Sequence, residues 1–108
     1  MKYQDLIEAG KNRSKRRAIA LYTESLYYYN GSDSLALYYR AKEYNDLELY
    51  EEALEDLDKY LDTDNKHILR SRIMAFYEKA KALKGLNRDE EAQQVINEAQ
   101  ELMPGFEP

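Results

Sequence analysis

The sequences ALEDL at residues 53–57 and AQQVI at residues 92–96 decide the fold, because they place the same kinds of residue at the same spacing in two parts of the chain. Each begins with an alanine and has a large apolar residue four places later. The stretch AIALY at residues 18–22 follows the same order. The three alanines are 35 and 39 residues apart, and such a near-constant period indicates a repeat protein rather than a plain helical bundle.

Helical periodicity extends over almost the whole chain of 108 residues, which contains only 4 Gly and 2 Pro. Short turns separate the segments, so consecutive helices should be antiparallel neighbours. We therefore predict an all-α fold, an α-α superhelix of three antiparallel helix pairs in a single domain. The six predicted helices are residues 2–10, 15–29, 33–47, 50–62, 66–85 and 88–102. The three predicted units are residues 1–32, 33–65 and 66–104, and residues 105–108 form a tail.

Turn residues support these boundaries. Asn30-Gly31-Ser32-Asp33 combines a helix stop with an N-cap, and Asp62-Thr63-Asp64-Asn65 ends one helix and caps the next. In the last pair, Asn87 and Glu90 have the spacing of a capping box, in which each side chain would bond to the backbone of the other.

The second and third units resemble the tetratricopeptide repeat family. The packing positions that carry the resemblance are Leu37, Ala41 and Tyr44 in the second unit and Phe76, Ala80 and Leu83 in the third. The second helix of each of these pairs opens with YEEAL at residues 50–54 or DEEA at residues 89–92, and Pro104 matches the family's terminal proline. The first unit is divergent, since its first helix offers only Tyr3, Leu6 and Gly10.

The resemblance implies a protein–protein interaction scaffold or adaptor. In this family the first helix of each pair lines a concave groove, and residues offset by one from the packing positions would face it. A tyrosine beside a lysine suits an extended peptide with apolar side chains and a carboxylate, from acidic residues or a free C-terminus. A solvated helix face is the alternative. The peptide-binding groove implied in this way consists of Leu35, Tyr38, Lys42, Asn45, Met74, Tyr77, Lys81 and Lys84.

Catalysis is not expected, and neither a metal nor another cofactor is predicted. The chain has no cysteine, and its single histidine, His67, has no nucleophile of the usual motifs to assist.

Tyrosine is unusually frequent, with 11 residues. Tyr27, Tyr28 and Tyr29 are about 100° apart on a helix, so at least one of them should face solvent or a partner.

The net charge of −5 combines a basic beginning with an acidic remainder. The basic residues cluster in Lys11, Arg13, Lys15, Arg16 and Arg17, which are expected to form a loop and a first helical turn. They are expected either to complement the acidic helices within the chain or to offer a docking site for an acidic partner. Nucleic-acid binding through residues 11–17 is an alternative that the acidic body disfavours.

Self-assembly is the other alternative, either as a structural module or as a designed repeat module. The third unit ends without a polar capping helix, so Val95, Leu102 and Phe106 should be uncovered and could form a homodimer contact.

No apolar run reaches the roughly 20 residues that cross a bilayer, and no signal sequence is evident. A cytoplasmic protein without membrane contact is therefore predicted.

Overall fold

The computed structural model describes residues 3–28, 34–62 and 69–106, with side chains from Asn12 onward. This part of the chain contains five α-helices and no strand, so the predicted all-α class is confirmed. The helices are α1 (Tyr3–Tyr28), α2 (Ser34–Asp46), α3 (Tyr50–Asp62), α4 (Leu69–Gly85) and α5 (Asp89–Leu102). The turns predicted at Asn30–Asp33 and beyond Asp62, together with His67, lie outside the described residues.

Helix α1 replaces the first predicted helix pair. It continues without a break through Lys11–Ser14, where a loop is predicted from the sequence, so that prediction is wrong. The reason is local: this stretch has no proline, and Gly10 costs only about 1 kcal/mol relative to alanine within a helix. The fold is therefore one helix of 26 residues followed by two helical hairpins, α2–α3 and α4–α5.

The two hairpins have the same turn, repeated with an offset of 39 residues. Glu48 and Asn87 follow the ends of α2 and α4 in the left-handed conformation, with φ of 61° and 62°. Beyond them, the Leu49 N–H donates to Tyr44 O and the Arg88 N–H to Leu83 O, both at 2.8 Å. A bond of 3.0 Å from each left-handed residue to the carbonyl three positions earlier completes a Schellman motif in both hairpins.

This geometry corrects the capping box predicted for α5. Asn87 terminates α4 instead of capping α5, whose N-cap residue is Arg88 and has no side-chain capping bond. The Arg88 guanidinium instead pairs with Glu91, at 2.6 Å between Nη2 and Oε2. Asn87 tolerates a positive φ better than most residues do, which explains why it occupies the turn.

The hairpins stack so that α2 and α4 lie side by side. Each described helix packs on the next one in the chain. Among the described helices, α2 and α4 are the only pair that is not consecutive and still packs together. The radius of gyration is 14.9 Å, against about 13 Å for a compact domain of this size. The helices thus form an extended layered stack, with α2 and α4 sharing one face.

Small residues bring the helices close together. Ala41, Ala53 and Ala92 are completely buried, and Ala80 is nearly so, as expected for the small positions of a helical repeat. One core cluster joins residues of α1, α2, α3 and α4, and a second joins α4 to α5. Leu54 packs against both clusters and so links the two hairpins.

The exposed apolar residues agree only in part with the sequence prediction. Tyr27 and Tyr28 are exposed, as expected for consecutive tyrosines on a helix. Val95 is buried, so the prediction that it is uncovered is wrong, because its side chain packs in the α4–α5 core. Leu102 is exposed, whereas Phe106 is half-buried. In the described part of the chain, no helix is both long enough and apolar enough to cross a bilayer.

Candidate functional site

A cavity of about 280 Å³ opens where the beginnings of α2 and α4 lie side by side. The spacing of its residues follows helical geometry, since Leu35 and Tyr39, Tyr38 and Lys42, and Arg70 and Met74 are pairs at i and i+4. We call it the Tyr38 cavity. Its described lining consists of Leu35, Tyr38, Tyr39, Lys42, Tyr60, Arg70, Ser71 and Met74.

Tyrosine rings form one wall of the Tyr38 cavity. The Tyr38 ring meets Tyr39 edge-on at 5.4 Å between centroids and Tyr60 at 5.8 Å. Tyr39 in turn stacks on Tyr22 of α1, at 5.9 Å. Tyr38 is only 8% exposed, while Leu35 and Tyr39 are exposed at the edge. Because these rings are held by several neighbours, the wall is preorganised and needs little ordering to accept an apolar group.

The cavity has a positive electrostatic bias. Lys42 and Arg70 line it, and none of the described lining residues is acidic. The Lys42 Nζ lies 6.0 Å from the Tyr38 ring centroid, within the range of a cation–π contact. Burial raises the pKa of Tyr38 to about 12, and the negative charge of Glu78 adds to the effect. Tyr38 therefore remains a neutral phenol at physiological pH.

Four of the eight predicted groove residues meet in this cavity. They are Leu35, Tyr38, Lys42 and Met74. The other four lie further along the same two helices. Lys81 and Lys84 are exposed, and the Lys81 ammonium lies 3.5 Å from Asp46 Oδ1 on α2.

Asn45 is a structural residue and is not open to a ligand. It is only 2% exposed, and its Nδ2 donates to the Glu78 backbone oxygen at 3.0 Å and to Glu78 Oε2 at 2.8 Å. Within the described residues its Oδ1 has no hydrogen-bond partner. Asn45 therefore fastens α2 to α4 below the cavity.

Tyr77 is covered by the segment that follows α5. Its ring lies 6.3 Å from the Phe106 ring, and its hydroxyl donates to the Phe106 backbone oxygen at 3.3 Å. The Arg70 guanidinium lies 5.7 Å from the centroid of the same Phe106 ring. Phe106, which the sequence predicts to be uncovered, thus lies against the face that the sequence predicts to bind a ligand.

Sequence reasoning missed Tyr39, Tyr60, Arg70 and Ser71. Arg70 could have been found, because it lies one turn before Met74 on the stripe already identified. Tyr60 could not, because it reaches the cavity from α3 and its position depends on how the hairpin closes.

The basic run of α1 forms ion pairs with α2. The Lys15 Nζ lies 3.2 Å from Asp46 Oδ2 and 3.9 Å from Glu43 Oε2. Arg13, Arg16 and Arg17 are exposed. This agrees with the expectation that the run complements acidic helices within the chain, and nucleic-acid binding stays a prediction.

The described ranges contain no group of three or more His, Cys, Asp or Glu residues that could hold a metal ion. A shallower depression beside α3 and the α4–α5 turn is lined by Glu51, Glu55 and Asp58 together with Arg88 and two leucines. Its carboxylates are characteristic of a solvated acidic surface, so the Tyr38 cavity is the stronger candidate.

Comparison of the chain with protein-family models, with curated protein sequences and with solved structures finds no match.

Proposed function

We propose that this chain is a tetratricopeptide-type scaffold that binds an extended polypeptide segment along the face shared by α2 and α4. The observation that carries the proposal is the convergence of Leu35, Tyr38 and Lys42 from α2 with Met74 from α4 around one cavity. Apolar and aromatic walls with a few charged groups are what peptide-binding grooves use for contact area and orientation.

The stacking order of the helices supports the same proposal. Helices α2 and α4 pack on each other, so their outward stripes are continuous and offer a track for an extended chain. The two stripes have matching chemistry at an offset of 39 residues, with Tyr38 and Lys42 on α2 and Tyr77 and Lys81 on α4. Because Phe106 covers Tyr77, a partner peptide would make these contacts at Tyr38 and Lys42.

Selection from a displayed library of random peptides tests this function. We expect wild type to select peptides that lose at least about tenfold in affinity for a Leu35→Ser/Lys42→Glu variant. A Leu21→Ser/Lys59→Glu variant is the matched control, because it makes the same changes at exposed positions on α1 and α3, outside the cavity. Both variants should keep the helical circular dichroism of wild type.

Failure of the library to yield any binder, or equal weakening by both variants, would reject the α2–α4 face as a binding surface. Homodimerisation stays a separate prediction, which light scattering at high protein concentration tests. A strictly monomeric mass would contradict it.

A further inference from the structure

The segment after α5 lies on α4 in the manner of a bound peptide. Phe106 presents its ring to Tyr77 and its backbone oxygen to the Tyr77 hydroxyl. It therefore combines a side-chain contact with a main-chain hydrogen bond, which are the two elements of extended-peptide recognition. Arg70 adds a cation–π contact with the same Phe106 ring.

The Tyr38 cavity is the counterpart of this Phe106 contact in the preceding hairpin. Tyr38 precedes Tyr77 by 39 residues, the same offset that relates the two Schellman turns. Arg70 belongs to both places, because it lines the Tyr38 cavity and also covers Phe106. The two half-sites are thus contiguous and have the same chemistry, a tyrosine ring with a cation beside it.

The size of the cavity is compatible with one aromatic side chain. Its volume of about 280 Å³ lies near the lower end of the roughly 300–1,000 Å³ of ligand pockets. Its tyrosines are suited to contact with an incoming aromatic ring, and Lys42 and Arg70 favour a carboxylate close to that ring.

We infer that the Tyr38 cavity receives an aromatic side chain of a partner peptide, with an adjacent acidic residue held by Lys42 and Arg70. The inference rests on the proposed function and adds the chemistry of the ligand. The chain's own sequence offers a probe of this kind, since Phe106 is followed by Glu107.

The test uses the synthetic peptide ELMPGFEP, which corresponds to residues 101–108, and a control peptide with alanine in place of the phenylalanine. Binding to the full chain is measured by isothermal titration calorimetry. We expect the phenylalanine peptide to bind wild type at least about tenfold more tightly than the alanine peptide. Lys42→Glu should weaken it by a similar factor, whereas Lys59→Glu, a matched reversal on α3, should change it less than about twofold.

A Phe106→Ala variant of the chain separates the two half-sites. Wild type should bind one peptide, in the Tyr38 cavity, because its own Phe106 covers Tyr77. The variant should bind a second peptide on Tyr77, so the measured stoichiometry should rise from one to two.

Three results would overturn the inference: no binding to wild type, equal binding of the alanine peptide, or binding to the Phe106→Ala variant alone. The last would mean that the peptide only replaces the chain's own tail. If library peptides bind in a manner sensitive to Leu35→Ser/Lys42→Glu but lack aromatic residues, the inference fails and the proposed function stands.

Discussion

Arg40 and Asp56 form a two-bonded ion pair between α2 and α3. The Arg40 Nε donates to Asp56 Oδ2 at 2.7 Å, and its Nη2 donates to Oδ1 at 2.6 Å. The remaining nitrogen, Nη1, donates to Thr23 Oγ1 on α1 at 3.1 Å, so one guanidinium joins three helices. Asp56 is only 2% exposed, and the hydrogen bonds that its carboxylate accepts from Arg40 raise the pKa of Arg40 above its ordinary value.

Removing one partner of this ion pair should destabilise the fold much more than replacing both partners with apolar residues. We expect Asp56→Ala to lower the free energy of unfolding by roughly 2–3 kcal/mol, because it leaves the half-buried Arg40 charge without its partner. An Arg40→Met/Asp56→Leu variant should recover most of that loss. Thr23→Val, which removes one neutral acceptor, should cost only about 1 kcal/mol. Urea unfolding measures all three, and a double variant no more stable than Asp56→Ala would contradict the account.

Tyr38 should make the fold sensitive to alkali. Its folded-state pKa of about 12 lies above the ordinary value of 10.0, so burial stabilises the neutral phenol. This contribution is complete below pH 10 and is lost as the pH rises through 12, and it amounts to at most about 2–3 kcal/mol. Between pH 10 and pH 12, the stability of wild type should therefore fall relative to Tyr38→Phe.

The absorbance of tyrosinate offers a direct check on the Tyr38 titration. The difference between wild type and Tyr38→Phe isolates this one phenol. A midpoint near the ordinary value of about 10 would show that burial does not hold the proton.

The effect of Gly85→Ala on stability should change sign when Tyr50 is removed. A Cβ built on Gly85 at the end of α4 would overlap the Cδ2 and Cε2 atoms of Tyr50 at the start of α3. We expect Gly85→Ala to destabilise the fold by about 1–3 kcal/mol, despite the better helix propensity of alanine. In a Tyr50→Ala background the same change should stabilise by about 0.5–1 kcal/mol. Thermal unfolding of the four proteins measures this, and the same sign in both backgrounds would exclude the contact as the cause.

The first Schellman turn contains a residue that is poorly suited to it. Glu48 has φ of 61° and is neither glycine nor asparagine, whereas the second turn has Asn87 at the same position. Glu48→Gly should raise the free energy of unfolding by about 0.5–1 kcal/mol by relieving the left-handed strain. Glu48→Ala is the control, since it removes the acidic charge near the helix end but keeps the strain. Equal gains for both variants would assign the effect to charge.

Much of the fold follows from short-range rules in the sequence. The alanines at positions 53 and 92 predict the two hairpins, because close helix packing needs a small residue at a fixed place. The break predicted within α1 fails because no residue from Lys11 to Ser14 prevents a helix, and only contacts between helices decide whether it ends there.

Site residues could be predicted from the sequence where spacing within one helix places them. They could not be predicted where a contact between two elements decides their position. Helical spacing brings Leu35, Tyr38 and Lys42 to one face, and the cavity includes all three. Asn45 has the same spacing but is buried, because Glu78 on α4 binds it. Phe106 belongs to a non-helical segment without periodicity, so no pattern could place it against Tyr77.

The matching turns make residues 47–85 an insertable module. Leu47 and Leu86 occupy the same position in the two Schellman turns, each directly after the last residue of a helix. A tandem duplication of residues 47–85 would therefore create one new junction, Gly85–Leu47, which places a leucine after Gly85 as the native Leu86 does and keeps the native hydrogen-bond pattern there. Lengthening the array by gene duplication would thus require no new loop, and each added copy would bring one more Met74–Tyr77 stripe to the shared face.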